Sequence, residues 1–130
     1  MLVFHHREKT AQATRAEGAI FTGEVHRAPL TGEANAKRLY LGLVKFSAGG
    51  RTVWHTHTFE QGLVIVEGKG IVATDEQEHV VEPGDVILIP EGERHWHGGT
   101  QTTAMAHISI GGPGQSIPLE PVTEIKTRNP

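Results

Sequence analysis

Turn signals recur every several residues along this chain, and no stretch between them holds the sustained 3.6-residue periodicity of a long helix. Sixteen glycines in 130 residues exceed the usual share of about 7%. Together with seven prolines they cut the apolar sequence into short runs. Residues 19–25 (AIFTGEV), 38–46 (RLYLGLVKF), 52–56 (TVWHT), 62–67 (GLVIVE), 71–74, 79–81, 86–89 (VILI) and 102–110 (TTAMAHISI) read as strands. Gly68-Lys69-Gly70 reads as a hairpin turn, and Glu82-Pro83-Gly84-Asp85 and Pro90-Glu91-Gly92-Glu93 as further turns. Residues 28–36, with Pro29 and Gly32, read as a loop. Eight or nine short strands predict an all-β domain, a sandwich or a closed barrel.

The flanks differ from this centre. Residues 7–17 (REKTAQATRAE) are polar and suit a short helix or none, so residues 1–18 read as an N-terminal extension or arm. Residues 19–114 form the expected barrel, and residues 115–130, with Pro118, Pro121 and Pro130, an extended tail lying over the surface or onto a partner.

Several function classes fall away early. The chain has no cysteine, which removes disulfides, thiolate catalysis and zinc–cysteine sites. Twelve basic against fifteen acidic residues give a formal charge of −3, a poor basis for gripping nucleic acid through its phosphates. No apolar run reaches the roughly 18 residues of a membrane span. Met1 to Thr10 carry His5, His6, Arg7, Glu8 and Lys9 with no apolar core, so no signal peptide is expected. The expectation is a cytoplasmic protein that acts on a small molecule, without nucleic acid or membrane.

The chemistry lies in the histidines. His55 and His57 are separated by one residue, and so are His95 and His97, each pair beside a tryptophan (Trp54, Trp96). On a strand, residues i and i+2 share a face. A barrel interior normally fills with apolar side chains, and four inward imidazoles are costly there unless their lone pairs are used.

These positions carry a resemblance. Gly49, five residues, His55, one residue, His57, three residues, Gln61, six residues and Gly68 resemble the first cupin motif, with Gln61 where glutamate is usual. Gly84, five residues, Pro90, one residue, Gly92, two residues, His95, three residues and Gly99 resemble the second, with Gly99 in place of asparagine. The resemblance implies a single-domain cupin β-barrel, the jelly-roll or double-stranded β-helix. Arg51-Thr52-x-Trp54-His55-Thr56-His57, His95-Trp96-His97-Gly98, Thr102-Thr103-Ala104-Met105-x-His107 and Phe21-Thr22-Gly23-x-Val25 are similar to a bacterial subgroup of small manganese-containing cupins. That subgroup includes the cupin hydroxynitrile lyases and relatives of the carboxymuconolactone decarboxylases. It implies metal ligation by His55, His57, Gln61 and His95, with His97 and His107 as catalytic pocket histidines. Thr58-Phe59-Glu60 between the ligands departs from the usual proline, leucine and glycine.

Three imidazoles and an amide oxygen are all neutral, so a divalent ion held by them keeps its full charge. Such a centre favours anions and lowers the pKa of a bound water or alkoxide. The donor set suits Mn(II) or Fe(II), with Ni(II) or Zn(II) also compatible. Glu60 lies one residue short of the motif spacing and becomes the ligand if the loop after His57 slips by one. The functional expectation is a metal-dependent lyase, hydroxynitrile lyase-like or aldol/decarboxylase-like, in which histidine moves a proton. An Fe(II)-dependent dioxygenase and a non-catalytic metal or small-ligand binder are the alternatives. The resemblance also implies a homodimer. Arg51 and Arg94 flank the motifs and could attract an anion. His5, His6, His26 and His79 receive no role.

Overall fold

The computed structural model describes residues 1–128; residues 129 and 130, which end the expected tail and include Pro130, lie outside the described residues. Among the described residues a short helix α1 (His6–Gln12) precedes thirteen strands. These are β1 (Thr14–Arg15), β2 (Phe21–Thr22), β3 (Val25–Pro29), β4 (Tyr40–Phe46), β5 (Arg51–Thr52), β6 (His55–His57) and β7 (Gln61–Gly68). There follow β8 (Gly70–Ala73), β9 (Glu78–Val81), β10 (Val86–Ile89), β11 (Trp96–Gly99), β12 (Met105–Gly111) and β13 (Ser116–Pro118). No helix among the described residues is long and apolar enough to cross a membrane.

The strands form a six-stranded sheet, β1-β3-β4-β12-β7-β10, a five-stranded sheet, β2-β5-β11-β8-β9, and the pair β13-β6. All the pairings are antiparallel. Alternation along each strand sends one set of side chains inward. Val25, Val44, Phe46, Leu63, Ile65, Ile89 and Met105 meet Val72 and Val81 from the opposite sheet in the main core. Each such side chain contributes roughly 1.5–3 kcal/mol by leaving water.

The glycine pair at Gly68 and Gly70 does not make a hairpin. β7 pairs with β12 and β10, while β8 pairs with β11 and β9 in the other sheet. Gly68, at φ +74°, turns the chain from one sheet to the other, and a Cβ there would lie 2.0 Å from the Ala104 carbonyl oxygen. That approach, with the Lys69 amide donating to the same oxygen at 3.0 Å, replaces the cross-strand bonds of a hairpin.

All four residues of β8 are buried because both of its faces are covered. Val72 points into the main core. Ile71 and Ala73 point outward, where Trp96 and Val122 of the tail cover them. The tail therefore packs as part of the domain. It also borders β6. The odd-numbered backbone of β6 faces residues 92–95: the His55 amide donates to the His95 carbonyl at 3.0 Å, the His95 amide returns the bond at 3.1 Å, and the Gly92 amide donates to the His57 carbonyl at 2.9 Å. The even-numbered backbone faces the tail: the Trp54 amide donates to the Glu120 carbonyl at 3.0 Å, and the Thr58 amide to the Gln115 carbonyl at 3.0 Å. Further along, Glu78 accepts the Lys126 and Thr127 amides at 2.8 and 2.6 Å.

At the other end α1 lies against β3 and β4, and β1 adds to the sheet through Thr14 and Arg15 opposite Arg27 and His26. The residues read as a loop from 28 onward begin inside β3, where Ala28 and Pro29 pair with Leu43 and Gly42. Pro29 lies at the strand's last position, where its missing N–H is tolerated.

Candidate metal centre

Five histidines converge inside the barrel: His55, His57, His95, His97 and His107 are all at most 4% exposed. Three strands and one bridge bring them together, with His107 carried on β12. β6 puts His55 and His57 on one face; the bridge pairs His55 with His95; β11 carries His97 inward opposite Val72. Ring centroids lie 4.1 Å apart for His55–His95, 4.8 Å for His57–His95 and 4.9 Å for His55–His57. His97 and His95 stack with their planes 9° apart.

The hydrogen bonds fix how these rings point. His55 Nδ1–H donates to the Val53 carbonyl at 2.9 Å, and His95 Nδ1–H donates to the Glu93 carbonyl at 2.8 Å. Both bonds reach back two residues, so the two motifs share one local geometry. A proton held on Nδ1 leaves the Nε2 lone pair free, the usual device for orienting a ligating imidazole. His95 Nε2, His97 Nε2, His57 Nδ1 and Gln61 Oε1 are buried with no hydrogen-bond partner among the described residues. Four unpartnered polar atoms on neighbouring side chains are expensive unless something satisfies them. One donor nitrogen each from His55, His95 and His97 lie within 4.8 Å of one another, a group able to hold a metal ion. Gln61 is 9% exposed, whereas Glu60 faces solvent.

Geometry thus adds His97 to the candidate ligands, where sequence reasoning gave it only a proton-transfer role. His57 lies in the same ring cluster but also stacks on Phe59, with centroids 4.8 Å apart. His97 Nδ1 lies 3.0 Å from His107 Nε2, and His107 Nδ1 lies 3.4 Å from Ser109 Oγ. One proton shared between the two rings has two placements. In one, His97 exposes its Nε2 lone pair; in the other, it carries a proton there.

Burial keeps the rings neutral. It lowers His55, His57, His95 and His107 from 6.5 to about 4. Neighbouring imidazoles push His55 and His57 further in the same direction, and the carbonyl bonds of His55 and His95 oppose it without overcoming it. His97, enclosed and ringed by the others, falls well below 6.5. Neutral imidazoles have free lone pairs at neutral pH, as a metal requires.

A cavity of about 330 Å³ opens beside the cluster, lined by His55, His57, Gln61 and His97. Arg27 and Tyr40 line it too, and no reading of the motifs singled them out. Arg51 and Arg94, the arginines flanking the motifs, are absent from its wall. Arg51 binds the Gly49 and Val122 carbonyls. Arg94 pairs with Asp75 and Glu120 and lies 4.2 Å over the Trp54 ring.

Comparison with known proteins agrees with this architecture. Residues 42–111 match the cupin domain family. A curated relative, the (R)-mandelonitrile lyase of Granulicella tundricola, is 38% identical over 91 residues, 69% of this chain and 70% of the relative. A cupin-like protein from Thermotoga maritima superposes with a TM-score of 0.80 at 32% identity, over 85% of this chain and 87% of its own. The polyketide cyclase RemF of Streptomyces resistomycificus shares the fold, with a TM-score of 0.74 at 21% identity over 97% and 89% of the two chains.

Proposed function

Because this chain belongs to the cupin domain family, we propose that it is a metal-dependent lyase that cleaves a carbon–carbon bond in a small hydroxy or carbonyl compound. The observation that carries the reading is the set of orphaned, buried, neutral donors around His55 and His95. These atoms fit a divalent ion: the His55 and His95 Nδ1–H groups are tied back to carbonyls, which leaves their Nε2 lone pairs free, and the Gln61 oxygen is a neutral donor beside them. The proposed ligands are His55, His57, Gln61 and His95, with Mn(II) or Fe(II) as the ion. A second arrangement, with His97 in place of His57, is favoured by the close approach of the His55, His95 and His97 nitrogens.

A divalent ion bound there would supply Lewis acidity toward a substrate oxygen. The residues supply the rest. The cavity takes the substrate against His97, whose Nε2 has no partner among the described residues. In hydroxynitrile cleavage His97 accepts the hydroxyl proton, the C–C electron pair leaves with cyanide, and the aldehyde forms. The proton then returns to cyanide to give hydrogen cyanide. His107, 3.0 Å behind His97 and itself backed by Ser109, holds the tautomer and shares the charge. Phe46, with its ring 5.7 Å from His97 and 5.5 Å from His107, keeps water from this pair.

The test uses mandelonitrile, the compound in the relative's name, with manganese-loaded protein, and follows aldehyde release. The expected result is turnover that stops on chelation, returns with metal, is lost in His97→Ala and is equal under air and nitrogen. No turnover removes the nitrile version, and a requirement for oxygen would favour an Fe(II) dioxygenase. Metal titration of His57→Ala and His97→Ala separates the two ligand sets: the variant that lacks a true ligand loses affinity and the other retains it.

A further inference from the structure

The cavity beside the histidines is walled by one charged side chain, Arg27, and among the described residues no aspartate or glutamate lines it. Strand register explains how an arginine comes to point inward. Arg27 pairs with Val44 and Val44 with His107, so the three occupy one row across the sheet on its inner face. Val25, two residues earlier on the same face, is fully buried. Neighbouring strands lie about 4.8 Å apart, so Arg27 stands about 10 Å from His107 along that row.

The guanidinium is held rather than loose. One of its N–H groups donates to Tyr40 Oη at 3.0 Å. The Tyr40 ring lies over Gly42, where a Cβ would come within 2.7 Å of Oη, so the missing side chain at 42 lets the phenol reach Arg27. Because Oη accepts from Arg27, its own proton remains to be donated elsewhere. Arg27 has no ion pair among the described residues. A half-buried guanidinium without a counter-ion, beside a phenol with a free proton, presents a planar set of donors to an anion.

We propose that Arg27 and Tyr40 form a carboxylate-reading end of this pocket, so that the compound handled here is a small carboxylic acid whose hydroxyl or carbonyl group lies toward the histidines. The two-pronged guanidinium matches a carboxylate's two oxygens, and the phenol completes the grip. A phosphate dianion would bring two charges against this one guanidinium, whereas a carboxylate's single charge is matched. The inference deepens the lyase reading and rests on it for the identity of the reacting end. The acid end is read by residues outside the histidine cluster.

The test is therefore a binding measurement, made on metal-stripped as well as manganese-loaded protein. Mandelate and mandelamide share size and ring and differ in charge. Calorimetric titration should show mandelate binding at least about tenfold tighter than mandelamide in both forms, the effect of one charge-assisted pair. Arg27→Gln should abolish that preference, with mandelate losing far more affinity than mandelamide. Tyr40→Phe should reduce it about threefold, the smaller effect of one neutral donor. Gly42→Ala, which displaces the phenol, should act like Tyr40→Phe and gives a second route if Arg27→Gln does not fold. Equal affinity for acid and amide, a preference that survives Arg27→Gln, or no saturable binding of the acid to either form would each overturn the proposal. Failure of mandelonitrile cleavage leaves these readouts intact, so the two ideas fall separately.

Discussion

Acid should unfold the metal-free protein well before it unfolds the metal-bound form. His55, His95 and His107 are held at about 4 by burial, and burial likewise holds His97 well below the 6.5 of an exposed imidazole. A depressed folded-state pKa means that the unfolded chain binds more protons between pH 6.5 and 4. Stability is then fully present above 6.5 and falls as the pH drops through that window. At pH 5.5 each unfolded imidazole is mostly protonated while its folded counterpart is not, a difference of about 1 kcal/mol per ring. Four rings give about 4 kcal/mol, a large share of the roughly 5–15 kcal/mol that holds a domain together. His57, which stacks on Phe59 and lines the cavity, adds less. For a chain of this length the loss corresponds to a drop in Tm of roughly 15 °C between pH 8 and 5.5. Calorimetry of chelator-stripped protein at pH 8, 6.5 and 5.5 measures it directly. Aspartates and glutamates in their ordinary range contribute little above pH 5.5. With manganese in excess the drop should shrink, because binding selects the deprotonated rings. A Tm of the stripped protein that stays within about 2 °C across the range, against a shift this large, would refute the reasoning. It would mean that the rings titrate alike in both states and are wet rather than packed together.

Two further perturbations test the site and its scaffold. Gln61→Glu puts a carboxylate where a neutral, partnerless oxygen is now buried, so manganese affinity by competition titration should rise about tenfold or more, while the metal-free variant melts lower than the parent. Gly68→Ala meets the Ala104 carbonyl 2.0 Å from its new Cβ at φ +74°, and urea unfolding should show a loss of at least about 2 kcal/mol.

The barrel and its histidines were readable because both rest on short-range rules. Gly/Pro punctuation delimits strands, and the i, i+2 rule puts His55 with His57 and His95 with His97 on shared faces. What escaped depends on contacts between distant segments. The step between sheets at Gly68 looks like a hairpin locally; only pairing with β12 on one side and β11 on the other distinguishes it. That His97 comes close enough to be a ligand depends on the bridge that aligns His55 with His95, which neither motif encodes alone. Arg27 follows the inward parity of Val25, but an arginine just before Pro29 and Gly32 reads as the approach to a loop. Its face follows only from its pairing with Val44. The tail's prolines suggested a surface path, and only the cover it gives Ile71 and Ala73 makes Val122 a core residue.

That tail also couples two processes that appear unrelated. The strand bearing His55 and His57 is sandwiched between residues 92–95 and residues 115–120, so an ion that draws the histidines together also tightens the seat of the C-terminal segment. Linkage makes the effect mutual: whatever free energy an ion adds to the tail's docking, the docked tail adds to the ion's retention. Peptide bonds beyond Gln115 should then resist a protease longer in the loaded protein. A bulky fusion that levers this segment away would make the centre leak metal without altering any histidine.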